Sequence, residues 1–311
     1  MKYIYFGSDN FSLHILEGIY AIKPPVAIVT QPDRANGRKQ KIKPGPLATF
    51  AIDKDIPLIQ PENFKNEEAV ESVLKYGAEL FIVVSFGQIL PQSLLDRSPP
   101  IINGHASLLP SLRGASPIQS SIMQGFDKTG MSVMHIVKAL DAGPVIEKNE
   151  VKILKEDNGG TLTRKLEVVG IEQLSRLISS AQIPVGEEQK HEDATYCHKI
   201  MKEDMRLKYE SETSEELSLQ IRALSPSFGA YVILTTSKGE LRVKIFETEN
   251  VEFRGKENAF FQEEKKIFLN GMGKSKTLQI TKLQPQGKNM MDAVSFLNGW
   301  NMQFKGELVT P

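Results

Sequence analysis

Four short apolar runs in the first 105 residues, Tyr3–Phe6, 26–30, 80–84 and Ile101–His105, are each too short for a helix and are separated by segments of helical pattern. Between the first two, Leu13, Leu16 and Tyr20 fall on one face of a helix over 11–20, with Asp9 or Ser12 as its cap. Segments 47–54 and 67–75 also have helical character. Strands that alternate with helices are joined by crossovers, so they lie parallel in one sheet with helices on both faces. Segments 130–137 and 144–153 are strand-like and predict an antiparallel edge to that sheet. A helix over 161–179, with Leu162, Leu166, Val169, Leu174, Leu177 and Ile178 near 3.6-residue spacing, closes the unit. The pattern predicts an α/β, Rossmann-like parallel-sheet domain over residues 1–181.

The remaining chain follows another grammar. Residues 182–208, with Pro184-Val185-Gly186 and the charged run 187–193, read as a linker. Thr213-Ser214-Glu215-Glu216 matches a capping box and opens a helix with Leu217, Ile221 and Leu224 on one face, stopped by Pro226. Short strands at 230–235, 241–246, 266–269 and 278–283, punctuated by Gly and Asn, predict a small OB-like β-barrel within a second domain over 209–311. A chain of 311 residues accommodates two such cores. Lys+Arg and Asp+Glu are both 38, so the chain has no global attraction to nucleic acid or membrane, and any polyanion site is a local patch. The single cysteine, Cys197, rules out a disulfide framework within the chain and suits a reducing, cytoplasmic setting. The opening MKYIYFGSDNFS lacks the apolar core of a signal peptide, and no apolar run is long enough to span a membrane. Cys197-His198 has no second pair at ligand spacing, so no metal site is expected. His14, His135, His191 and His198 are read as structural or surface residues, and Trp300 and Phe304 as core or a stacked face.

Ligands in open α/β sheets bind beyond the carboxyl ends of the strands. Gly7, the 85–91 turn and the pair Asn103/His105 all fall at such ends. The first turn, FGSDNFS, has one glycine where a dinucleotide fingerprint needs three, so a nicotinamide cofactor is not expected. Asn103 and His105 are two apart, and in a strand both look to one face. An amide N–H₂ holds a developing oxyanion, and an imidazole moves a proton near neutral pH. Asp141, 36 residues beyond His105, is a carboxylate available to orient that imidazole. The set suits acyl transfer without a covalent enzyme intermediate, since no Ser or Cys nucleophile motif accompanies it. The segment 32–46, PDRANGRKQKIKPGP, carries Arg34, Arg38, Lys39, Lys41 and Lys43 against one acid, Asp33, with Asn36-Gly37 to turn its tip. By charge alone it is either a solvated loop or a polyanion patch. It stands out in a neutral chain, and it is longer than an ordinary strand–helix connection.

The string Asn103-x-His105-x-Ser107-Leu108-Leu109-Pro110, followed by Arg113-Gly114 and Leu140-Asp141-x-Gly143, resembles the folate-dependent formyltransferases. The resemblance implies that Asn103, His105 and Asp141 form the catalytic trio and that Ser107, Leu108, Leu109 and Pro110 line the folate site. It also implies that Phe86, Gly87, Gln88, Ile89 and Leu90 offer backbone to the pterin ring, with 10-formyltetrahydrofolate as formyl donor and no metal. The continuation RGASPIQ at 113–119, and the flanks of the basic segment at 29–33 and 57–61, are similar to the methionyl-tRNA formyltransferases. There a basic insertion reaches the tRNA acceptor stem, which implies tRNA contacts for Arg34, Arg38, Lys39, Lys41 and Lys43, Arg38 foremost. Segments 221–230 and 283–288 resemble the C-terminal barrel of the same enzymes, so the similarity runs to about residue 300. It implies formylation of the α-amino group of initiator methionyl-tRNA for translation initiation, by a monomer in the cytoplasm. Pro144 stands where that family more often has an acid, and Gly104 and Ala106 also depart from its usual residues. Two alternatives remain at this stage: a formyltransferase acting on an amino-sugar nucleotide, and a non-catalytic tRNA or folate binder.

Overall fold

The computed structural model describes residues 1–36, 41–236 and 239–300. They divide into two compact units, one of 1–117, 128–152 and 163–197, the other of 118–127, 153–162 and the chain from His198 onward. The first unit is built on a seven-stranded sheet. Its strands are β1 (Tyr3–Phe6), β2 (Ala27–Val29), β3 (Leu58–Ile59), β4 (Leu80–Val83), β5 (Ile101–His105), β6 (Lys128–His135) and β7 (Val145–Lys152). The spatial order is β7-β6-β5-β4-β1-β2-β3. β1 to β5 run parallel, whereas β6 and β7 pair antiparallel, forming the antiparallel edge that the sequence pattern predicts. β3 escapes sequence reading because two residues carry no periodicity.

Helix α1 (Asn10–Tyr20) starts on a reciprocal cap in which Asp9 accepts from the Ser12 N–H and the Ser12 hydroxyl serves the Asp9 backbone. It buries Ile15, Leu16 and Ile19. The long helix α4 (Gly159–Ser179) crosses α1 where Gly18 leaves no room for a side chain, since a Cβ there would meet Ile171 at 2.5 Å. Between them in the chain lie α2 (Pro46–Asp53) and α3 (Glu67–Leu74). One face of the sheet, through Ile4, Phe6, Val29, Phe81 and Ile101, packs against Val70 and Val73 of α3. Phe6 lies against Phe64, Phe81 and Phe86, so an aromatic cluster anchors the strand ends that face the site.

In the second unit, α5 (Ser214–Leu224) begins on the expected capping box, Thr213 with Glu216. Six antiparallel strands follow: β8 (Ala230–Thr236), β9 (Gly239–Val251), β10 (Ala259–Glu263), β11 (Lys266–Asn270), β12 (Thr277–Pro285) and β13 (Met291–Asp292). Their order is β8-β9-β12-β11-β10, with β13 on β12, and α6 (Ala293–Trp300) comes last. β9 pairs with β8 through its first half and with β12 through its second, with register shifts after Ile245 and Glu247. Such bulges bend a strand. The sheet curls around Leu217, Ile221, Val232, Val243, Leu269, Ile280 and Phe296 as a half-barrel. Among the described residues no pairing joins β8 to β10. No described helix is long and apolar enough to cross a membrane.

Much of the stretch read as a linker is tied into the first unit. Glu187 bridges Val145, and Tyr196–Cys197 pairs in parallel with Arg113–Gly114. A polar composition signals exposure, and here it reflects side chains that hydrogen-bond a loop.

Candidate active site

The register Val83↔Asn103 sets the end of β4 beside the end of β5. Asn103 and His105 share one face of β5, as period-2 alternation requires. The His105 ring is buried and its Nε2 lies 2.9 Å from the Leu112 carbonyl. A carbonyl only accepts, so Nε2 carries the proton and the lone pair of the neutral ring sits on Nδ1. Nδ1 is 3.7 Å from Asp141 Oδ2. That same carboxylate oxygen accepts the Gly114 backbone N–H at 2.8 Å, so the carboxylate is oriented from a second side. The Asn103 amide is half-buried and has no hydrogen-bond partner among the described residues. Its donors are therefore free for a ligand.

A strap over residues 189–197 holds the loop after β5. Leu112 N–H donates to Thr195 Oγ1 at 2.8 Å and Arg113 N–H to the Thr195 carbonyl at 2.9 Å. Arg113 is only 2% exposed. Its guanidinium donates through Nε and Nη2 to Gln189 Oε1 (3.1 and 2.7 Å), through Nη2 to His191 Nδ1 (3.2 Å) and through Nη1 to the Tyr196 hydroxyl (3.5 Å). Six non-glycine residues among those described have a left-handed backbone, and three of them, Ser85, Leu112 and Asp141, lie in the turns around this site. Each such conformation costs on the order of 1–3 kcal/mol and persists only where its surroundings hold it.

The 85–91 turn is pinned by neighbouring strand ends. The Phe86 carbonyl accepts from Ser8 Oγ (2.7 Å) and Gln31 Nε2 (2.9 Å), and Ser85 Oγ donates to Asp9. The Phe86 side chain belongs to the aromatic core, so this residue shapes the turn and presents no ring to a ligand. Gly87 has φ +74 and is exposed, Ile89 is 91% exposed, and Leu90 is half-buried. Gln88 Nε2 donates to the Pro61 carbonyl, whereas its Oε1 is buried without a partner among the described residues. In the SLLP segment, Ser107 Oγ donates to the Ser111 carbonyl, and Ser132 Oγ takes the Leu109 N–H while donating to the Ser107 carbonyl. Leu109 packs on Met134 and Val145. Ser107 and Leu109 thus brace the loop, and Leu108 and Pro110 are its half-exposed side chains.

This arrangement of donors is found in a chain that matches known sequences along most of its length. The profile described as formyl transferase matches residues 2–178, and that of the formyl transferase C-terminal domain matches residues 199–301. The chain belongs to the formyl transferase family. It is 39% identical over 312 residues to a methionyl-tRNA formyltransferase of Bacillus subtilis, covering 97% of this chain and 96% of that one. A methionyl-tRNA formyltransferase of Leptospira interrogans is 36% identical over 318 residues, covering 97% and 98%. Among solved structures, HypX from Aquifex aeolicus in complex with tetrahydrofolic acid superposes with a TM-score of 0.66 at 14% identity, covering 97% of this chain and 48% of that one. That likeness speaks for the fold.

In the basic segment of this formyl transferase Arg34–Asn36 pairs antiparallel with Lys41–Lys43. Gln60 Nε2 anchors its base, donating to Asp33 Oδ1 (2.7 Å) and the Gln31 carbonyl (3.2 Å). Arg34 and Lys43 stand directly opposite each other, an arrangement that repels unless an anion comes between them. The Arg34–Glu62 contact, at 3.9 Å between exposed side chains, compensates little. Arg38 and Lys39 lie outside the described residues, and of Lys41 only the backbone is described. Sequence reading missed Gln189, Thr195 and the short strand at 196–197. The available signal was ATYC, a β-prone run inside a polar stretch, which reads as strand only once its partner Arg113–Gly114 is known.

Proposed function

We propose that the protein transfers the formyl group of 10-formyltetrahydrofolate to the α-amino group of methionine on initiator methionyl-tRNA. The observation that carries this reading is the meeting of Asn103, His105 and Asp141 at one strand end, in a chain that matches methionyl-tRNA formyltransferases over nearly its whole length. Full-length matches under that name favour tRNA over an amino-sugar nucleotide as acceptor. The intact trio disfavours a mere binder.

The residues fit the donor substrate. The unpartnered Gln88 Oε1 is an acceptor for an amine or ring N–H of the pterin, and the exposed Gly87 and Ile89 backbone offers further polar groups beside an apolar wall. Leu108 and Pro110 supply the apolar side on the SLLP loop. On the acceptor side, Arg34, Arg38, Lys39, Lys41 and Lys43 of the basic segment attract phosphates. We assign residues 1–181 to catalysis and 209–311 to tRNA binding on the same grounds.

In the reaction, the neutral amine attacks the formyl carbon, a new C–N bond forms and the bond to the folate N10 breaks. Asn103 donates its amide hydrogens to the tetrahedral oxyanion. His105, with Nε2–H tied to Leu112, accepts the proton released by the attacking nitrogen at Nδ1 and returns it to the leaving N10, directly or through a water. Asp141 stabilises the imidazolium formed in between. The test is a panel of acceptors offered with 10-formyltetrahydrofolate: methionyl initiator tRNA and an amino-sugar nucleotide. Formyl transfer to the tRNA alone is the expected result, and transfer to the sugar alone would overturn the assignment.

A further inference from the structure

We propose that Gln189 is a positioning residue for formyl transfer, using both ends of its amide to hold the Asp141 turn in place against His105. The inference rests on the function proposed above and concerns how the same site is kept in register.

Gln189 is buried and every polar hydrogen of its side chain is used. Nε2 donates to the Asp141 carbonyl at 2.9 Å and to the Gly143 carbonyl at 2.8 Å, while Oε1 accepts from Arg113 Nε and Nη2. Arg113 precedes Gly114, whose N–H orients the Asp141 carboxylate. One amide therefore closes a ring: from the Asp141 backbone to Arg113, along the chain to Gly114, and back to the Asp141 side chain.

The turn needs an external hold. Asp141 has φ +47, and the Ala142 N–H to Ala139 carbonyl contact across the turn is long at 3.4 Å. Gly143 is pressed so closely on β6 that a Cβ would meet the His135 carbonyl at 1.9 Å. Only an amide of this length both accepts from the guanidinium and donates to two carbonyls. Glutamate keeps the first role and points a carboxylate at two carbonyl oxygens; methionine fills the volume and leaves all of these groups unpaired. Among the described residues the guanidinium's partners are an amide oxygen, an imidazole nitrogen and a hydroxyl, and its charge polarises the amide and strengthens the amide's donors.

The test compares Gln189→Met and Gln189→Glu, each in the native background and with Asp141→Asn. In the native background kcat falls about 100-fold, the loss expected for roughly 1 Å of misplacement. KM for both substrates stays within about twofold, because ground-state binding is untouched. With Asp141→Asn already present, the further loss is less than about threefold, since the charge being positioned is gone. Equal losses in both backgrounds, or no loss in either, would overturn the proposal. Hydrogen exchange of the Gly114 amide provides a readout independent of any acceptor: it accelerates at least about tenfold in Gln189→Met. Unchanged Gly114 exchange would sink the clamp even if activity dropped. A wild-type enzyme that forms no formylmethionyl-tRNA would refute the proposed function, and Gly114 exchange would still decide the clamp. Should Gln189→Met fail to fold, Gln189→Glu, which keeps the Arg113 contact, carries both measurements.

Discussion

Replacing Asp141 by asparagine isolates one effect, the charge beside His105. The amide oxygen of asparagine still accepts the Gly114 N–H, so the turn keeps its donor. What is lost is a negative charge 3.7 Å from His105 Nδ1, between groups whose side chains are 6% and 12% exposed. At that separation and an effective dielectric constant of about 20, a unit charge pair is worth roughly 4 kcal/mol. In the proposed reaction His105 gains its positive charge by taking the proton of the attacking amine, so the loss is expected in the chemical step more than in substrate binding. The expected result is a fall in kcat of about a thousandfold with KM little changed. Single-turnover formyl transfer to methionyl-tRNA, with enzyme in excess, reads the chemical step free of product release. A loss below about threefold would refute the reasoning, because it would mean that no charge builds up on His105.

Asn103→Ala removes the free amide donor and is expected to cost about 3 kcal/mol in kcat/KM, measured by the same assay; full activity would remove Asn103 from the oxyanion role. Arg38→Ala is expected to raise KM for tRNA and lower the salt dependence of binding by roughly one unit of slope, with folate binding intact, as read by filter binding over a salt series. Gly114→Ala places a Cβ 2.0 Å from the Cys197 carbonyl at φ +125, so the strap must part from the loop and kcat is expected to fall with Asp141 unguided; wild-type rates would contradict this. Thr213→Ala removes the α5 cap and is expected to cost about 1 kcal/mol at neutral pH in denaturant unfolding. Bonds from the Thr213 backbone N–H and hydroxyl hold the Glu216 carboxyl below its usual range. A depressed carboxyl stabilises above its unfolded pKa and loses that stabilisation as pH falls through its folded one, so the Thr213→Ala deficit shrinks in acid.

The fold was legible wherever burial imposes a period. β1, β2, β4 and β5 are apolar runs with no polar residue to interrupt them until Asn103, and α1 and α5 announce their starts through Asp9 and Thr213. The Asn103/His105 pair was legible for the same reason, because a strand end sends i and i+2 to one side. Asp141 was suggested by its motif, and its exact reach to Nδ1 depends on a left-handed turn that no local residue preference enforces. What the sequence concealed is held by distant partners. Arg113 stands in the sequence only as part of a motif, and what buries it, Gln189, His191 and Tyr196, lies some eighty residues away. The hydrogen bonds that make 189–197 part of the site arise only on folding, and the polar composition that led to a linker reading is the composition such a strap requires. The small OB-like β-barrel expected of the second unit takes the form of a curled half-barrel, whose register and bulges in β9 a count of strands does not determine.

The central claim is tested most directly by measuring formyl transfer from 10-formyltetrahydrofolate to methionyl initiator tRNA, with methionyl elongator tRNA as control. The account predicts formylmethionine on the initiator, little on the elongator, and loss of both signals in Asn103→Ala. Undiminished transfer by Asn103→Ala, or no transfer to either tRNA by the wild-type protein, would contradict it.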